Sequence, residues 1–160
     1  MKEVKITTSF TKYEQLTELP EAVFSLMQHA IEARNRAYSP YSRFNVGAAI
    51  LLDNGKVVTG NNQENAAYPS GLCAERVAIF YAGSQYPNAK VVSMAITATS
   101  QQKPVIEPIP PCGACRQSMA EYEIKQESPI NIYFMGEKGA ILKSNSIADL
   151  LPLIFQKSHL

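Results

Sequence analysis

Apolar positions recur at helical spacing through Val23, Leu26, Met27, Ala30 and Ile31, which predicts an amphipathic helix with one buried face. Pro20 suits the first position of that helix, and Glu21 favours its positive dipole end. Ser39-Pro40 closes it, because a residue before proline avoids the helical region. From Val46 to Leu52 the pattern turns continuous and apolar, as in a strand. Asp53-Asn54-Gly55 is turn chemistry, and residues 56–60 return as the second arm of a hairpin. A loop over residues 61–72 leads into a helix near residues 73–81, with Gly83 as its stop. Residues 91–98 read as a buried strand. A polar, proline-rich loop over residues 99–111 precedes a helix over residues 113–123. Residues 130–135 form a further strand and residues 140–142 a short one. Ser146 with Asp149 three residues on is the pattern of a capping box for a C-terminal helix. Residues 1–19 are polar, with a brief alternation at Val4, Ile6, Thr8 and Phe10, and read as an N-terminal arm with a short edge strand. The order α-β-β-α-β-α-β-β-α packs as one sheet with helices on both faces.

Composition narrows this picture. With 160 residues the chain is expected to form a single domain, residues 1–160, large enough to bury a core without disulfides. The net charge of +1 and the lack of a basic stripe argue against a nucleic-acid partner. No apolar run approaches a membrane span, so no membrane partner is expected. Lys2, Glu3 and Lys5 leave no apolar run for a secretory signal. Three cysteines is an odd count, which suits a reduced cytoplasmic protein whose thiols bind metal or do chemistry.

All three cysteines stand at predicted helix starts. Cys112 and Cys115 are three apart, about 60° apart on a helix, so both sulfurs can reach one point. Cys73 and Glu75 are two apart and can share a site only in a first turn. Helix N-termini favour thiolates. Three thiolates with no fourth ligand suggest an open zinc site, because structural zinc takes four protein ligands. Glu75 then stands where a general acid/base belongs, and Arg76 offsets the excess negative charge. Taken singly, Cys73 reads as a small buried hydrophobe, and Cys112 with Cys115 as a redox dithiol or half a structural zinc knuckle. Together, Cys-x-Glu followed by Pro-Cys-x-x-Cys is the metal signature of zinc-dependent nucleobase deaminases.

Four segments in order make the likeness more specific: residues 38–49 (Tyr-Ser-Pro-Tyr-Ser-Arg-Phe-Asn-Val-Gly-Ala-Ala), 60–69 (Gly-Asn-Asn-Gln-Glu-Asn-Ala-Ala-Tyr-Pro), 73–76 (Cys-Ala-Glu-Arg) and 111–117 (Pro-Cys-Gly-Ala-Cys-Arg-Gln). With these the chain resembles the cytidine deaminases of the short, homotetrameric, three-cysteine kind, over about residues 26–155. The resemblance implies an α/β fold of three layers, α/β/α, around one mixed five-stranded sheet. It implies one Zn²⁺ per chain on Cys73, Cys112 and Cys115, with Glu75 catalytic and Arg76 bonded to the zinc cysteines. Asn62 and Glu64 would hold the ribose of a nucleoside substrate, Phe44 would pack at the pyrimidine or pocket mouth, and the Ala74 backbone would contact the base. Ala66, Tyr68 and Phe155 would be contributed by a neighbouring subunit of the homotetramer. The implied reaction is hydrolytic deamination of cytidine and deoxycytidine in pyrimidine salvage. The longer N-terminal arm and the longer 99–111 loop depart from the family's minimum.

Other readings remain open at this level. The substrate of such a site is alternatively another aminated nucleoside, a nucleotide or a free base; Asn62 and Glu64 favour an intact sugar. A zinc-stabilised binding module would need a fourth protein ligand and would tolerate loss of Glu75.

Overall fold

A computed structural model describes all 160 residues of the chain. The strands are β1 (Thr11–Tyr13), β2 (Phe44–Leu52), β3 (Val57–Asn61), β4 (Val91–Ser100), β5 (Asn131–Met135) and β6 (Ile141–Ser144). The helices are α1 (Glu21–Arg34), α2 (Ala74–Gln85), α3 (Gly113–Gln126) and the one-turn α4 (Ile147–Leu150). The strands form one sheet in the order β1-β6-β5-β4-β2-β3. Only β4 and β5 run parallel, and α3 supplies the long crossover that parallel neighbours need.

The two faces of the sheet follow from strand periodicity. Ala48, Ile50, Leu52, Met94, Ile96, Ile132 and Phe134 point to one side, where they pack with Ala78 and Ile79 of α2 and Met119 and Ala120 of α3. Ala49, Ala95, Tyr133 and Met135 point to the other, onto Leu26, Met27 and Ala30 of α1. β4 is covered on both sides, so its sequence reads as an apolar run rather than an alternation. The result is the three-layer arrangement expected.

Several details differ from the sequence expectation. The mixed sheet has six strands, not five. The sixth comes from the arm, but at Thr11–Tyr13, where Lys12 faces Leu142, and not over the alternating residues 4–10. The pattern at 4–10 suits a strand, yet a strand forms only where another offers its backbone, and β6 offers it to residues 11–13. Helix α1 ends at Arg34, five residues before Ser39. Helix α2 passes through Gly83 to Gln85. There the missing Cβ makes room for Tyr122, whose hydroxyl would stand 2.8 Å from it, so the glycine serves helix packing rather than helix ending. Ser146 does cap α4, accepting from Ala148 N, but Asp149 closes no capping box with it; the carboxylate at this helix start is Glu123 of α3. Glu123 accepts from Ser146 Oγ, from Ile147 N at 3.0 Å and from Ile130 N at 2.7 Å.

Candidate active site

Helices α2 and α3 lie side by side on one face of the sheet and bring their N-termini together. Cys73 is the N-cap of α2 and Cys112 the N-cap of α3, both extended in backbone, and neither side chain caps its own helix. Both thiols are therefore free to face elsewhere. Cys115 lies in the first turn of α3 and is fully buried. The three sulfurs lie within 4.8 Å of one another, with 3.8 Å between Cys73 and Cys112. Thiolates about 2.3 Å from a tetrahedral zinc stand about 3.8 Å apart, so the cluster has the dimensions for one ion. His29 lies mid-way along α1, on the opposite face of the sheet, and His159 in the C-terminal 3₁₀ turn; neither joins the cluster.

Electrostatics give the donor set the same meaning. Hydrogen bonding with Cys115, then with Arg76 and Cys112, holds the Cys73 thiol well below its ordinary pKa against the effect of burial. Cys115, bonded to Cys73 and buried, is pushed far up. Three thiolates side by side repel one another, and a divalent cation between them removes the conflict. Arg76 Nη2 donates to Cys73 Sγ at 3.6 Å and adds a fixed positive charge. The positive ends of two helices add to it.

Glu75 is the second residue of α2 and only 4 % exposed. Burial pushes its carboxyl up to about 7, and the charge at Cys73 pushes the same way. A carboxyl in that range both takes and gives a proton near neutral pH. Its depth comes from the sheet: a Cβ on Gly60 of β3 would stand 2.6 Å from Ala74 O and from Ala78 N. The absent side chain lets α2 settle onto β3, and Ala74, at its first position, is fully buried.

Beside the cysteines a cleft of about 510 Å³ is lined by Tyr41, Asn62, Glu64, Tyr68, Cys73 and Arg76, among others. Glu64 Oε2 accepts from Tyr41 N at 2.9 Å and from Ser42 N at 3.2 Å, which leaves Oε1 free. Burial works against the charged carboxylate, but the bonds from Ser42 and Tyr41 outweigh it and hold its pKa below the usual value. Arg43 takes a left-handed conformation (φ 54°) and closes the same loop by donating its N–H to Ser39 O. The Asn62 amide accepts from Val46 N at 2.7 Å and donates to Phe44 O at 2.9 Å, so it bridges two residues of β2 and keeps one N–H free.

The structure thus brings Cys73, Cys112, Cys115, Glu75 and Arg76 to one place and puts Asn62 and Glu64 on the adjoining cleft. Phe44 stands half-buried at the start of β2, outside the residues that line the cleft. Ala66 is exposed, Tyr68 is 77 % exposed at the cleft rim with its ring edge-on to Tyr41, and Phe155 is 58 % exposed in the C-terminal segment. Sequence reasoning gave Arg116 no role. It donates from Nε to Pro111 O at 2.8 Å and from Nη1 to Leu150 O at 2.7 Å, tying the Cys112 turn to the end of α4. A cation in the first turn of a helix, where the dipole is unfavourable, is the signal that could have found it.

Comparison with known proteins gives consistent findings. The profile of the family described as cytidine and deoxycytidylate deaminase zinc-binding region matches residues 21–128. The cytidine deaminase of Halalkalibacterium halodurans is 43 % identical over 130 residues, covering 81 % of this chain and 91 % of that protein. The cytidine deaminase of Sporosarcina psychrophila is 38 % identical over 138 residues, covering 86 % and 94 %. Among solved structures, cytidine deaminase from Burkholderia pseudomallei superposes with a TM-score of 0.71 at 35 % identity, covering 86 % of this chain and all of that one.

Proposed function

The chain belongs to the cytidine and deoxycytidylate deaminase zinc-binding family, and from that premise we propose which of its residues perform the reaction. The protein is a zinc-dependent hydrolase that deaminates cytidine. The observation that carries the assignment of roles is the set of three thiols within 4.8 Å at two helix N-termini, with the buried Glu75 beside them.

Cys73, Cys112 and Cys115 hold the metal, one ion per chain. When bound there, zinc supplies Lewis acidity that makes water a competent nucleophile at neutral pH. Glu75 accepts the proton that water gives up as C4 of the base is hydrated, and delivers it to N3. It then takes the proton of the new hydroxyl group and passes it to the C4 amino group, which leaves as ammonia. Cytidine and water become uridine and ammonia, with protons balanced. The raised pKa of Glu75 suits a group that must carry protons both ways. Arg76 stays bonded to Cys73 and steadies the thiolates.

The sugar is held by the neighbouring loop. Glu64 keeps its Oε2 on the loop backbone and turns Oε1 to the 3′-hydroxyl, and Asn62 gives its spare N–H to the same group. Recognition through the 3′-hydroxyl admits deoxycytidine as well as cytidine. The backbone of Ala74 contacts the base, and Phe44, outside the residues that line the cleft, is given to the pocket mouth by the family resemblance alone. The whole chain acts as one domain with residues 1–19 as an arm. The cleft is open on one side, and Tyr41, Tyr68, Phe80, Tyr81 and Phe155 are exposed. Exposed aromatics of this number support burial against other copies in a homotetramer, with Ala66, Tyr68 and Phe155 given to a neighbour's site. The three free cysteines of the chain support pyrimidine salvage in a reducing compartment, the cytoplasm. No helix is long and apolar enough to cross a membrane.

Purified, metal-analysed protein given cytidine, deoxycytidine, cytosine and CMP in parallel tests this reading. Ammonia release with the ultraviolet change to uracil nucleosides is expected for the first two only. Conversion of free cytosine at the rate of cytidine would remove Asn62 and Glu64 from sugar recognition. Loss of all conversion in protein holding one zinc per chain would move the reading to another aminated nucleoside.

A further inference from the structure

We propose that Phe10, in the N-terminal arm, is a positioning residue for the zinc site, because it clamps the proline loop that carries Cys112. The inference rests on the reading of Cys112 as a zinc ligand. The family match begins at residue 21, so the arm lies outside it.

The loop needs an external support. Pro108, Pro110 and Pro111 have no N–H to donate. Within residues 105–111 two hydrogen bonds hold it: Val105 O accepts from Glu137 N at 2.7 Å, and Pro111 O accepts from Arg116 Nε. No hydrogen bond reaches residues 106–110 between them. The backbone of Ile106 and Glu107 packs against Gly139 and Gly136, which leaves residues 108–110 the least held. That span runs directly into Cys112, whose own thiol is exposed.

The arm supplies the support by crossing the edge of the sheet. Phe10 immediately precedes β1, and side chains alternate between faces along the extended chain from Phe10 to Tyr13. Tyr13 packs against Tyr133 on the α1 face, with ring centroids 6.5 Å apart. Phe10 lies on the other face, in a cavity of about 270 Å³ that it shares with Pro108, Pro110, Arg116, Phe134 and Leu150. It therefore lines the same cavity as Pro108 and Pro110 of the loop and as the arginine that fixes Pro111. The strand β1 holds Phe10 there through its pairing with β6. Restraining the loop restrains Cys112, and groups behind metal ligands govern how firmly the metal is held.

The test measures zinc release from the full-length, zinc-loaded protein into a chromogenic chelator. Phe10→Ala is expected to release zinc about tenfold faster than wild type, the lower end of what outer-sphere substitutions cause. Phe10→Leu, which keeps an apolar wedge, is expected to restore most of the difference. Phe10 is 41 % exposed, so neither variant threatens folding. Release from Phe10→Ala within about twofold of wild type overturns the proposal, even with a lowered Tm, because Phe10 then steadies β1 alone. Phe10→Leu releasing as fast as Phe10→Ala overturns it as well. Wild-type protein that binds no zinc refutes the ligand assignment itself; wild type that binds zinc with unchanged release in Phe10→Ala refutes only the clamp.

Discussion

In the proposed reaction Glu75 concentrates the proton chemistry of the molecule in one side chain. It is buried beneath thiols and lies against no other carboxylate, so its acidity is set by its surroundings. Glu75→Gln keeps the shape and removes the titrating proton. Turnover of cytidine is expected to fall by at least about 100-fold while zinc content stays at one per chain. Zinc analysis beside a steady-state assay checks this, and a variant within about tenfold of wild type would end the acid/base role. The place of this residue beside the thiols was legible from the sequence, since Cys-x-Glu can share a site only in the first turn of a helix. The bonds of Asn62 were not. Its amide is fixed by Val46 and Phe44, residues 16 and 18 positions away, and only the pairing of β2 with β3 brings them close.

Among the elements, α3 does the most linking. Its first turn carries Cys115, and its last turns carry Glu123, whose carboxylate takes the N–H groups of Ile130 and Ile147. Both isoleucines are fully buried, so neither N–H can turn to water when the acceptor is lost. Glu123→Ala is expected to cost about 3 kcal/mol, from two orphaned buried donors. That lowers Tm by roughly 6–12 °C for a domain of this size. A thermal melt that shifts by less than about a degree would show that the carboxylate contributes nothing net. Helix and strand periods predicted each main element, because their partners are compelled by apolar faces. The ends were less legible for the same reason. Gly83 suggests a stop until Tyr122 is seen against it, and Asp149 suggests a capping box until Glu123 is seen accepting from Ser146 Oγ and Ile147 N.

The whole molecule leaves Tyr41 and Tyr68 exposed at its cleft and Phe80 and Tyr81 exposed on α2. Light scattering is expected to report about 70 kDa, four chains of 17.6 kDa. A fully active particle of one chain's mass would remove Tyr68 and Phe155 from the neighbouring site. The arm also changes the border of the molecule. Without β1, the sheet would end on β6, and Ile141 and Leu142 would lie beside a row of unpaired backbone groups. Such an edge is a template on which another chain's strand can add and growth can continue. β1 replaces it with a three-residue border that carries Lys12, ion-paired to Glu14 at 2.9 Å. A short, charged border gives little length to pair with, so the arm that steadies the site also keeps an assembly of these chains from extending into aggregate along its sheets.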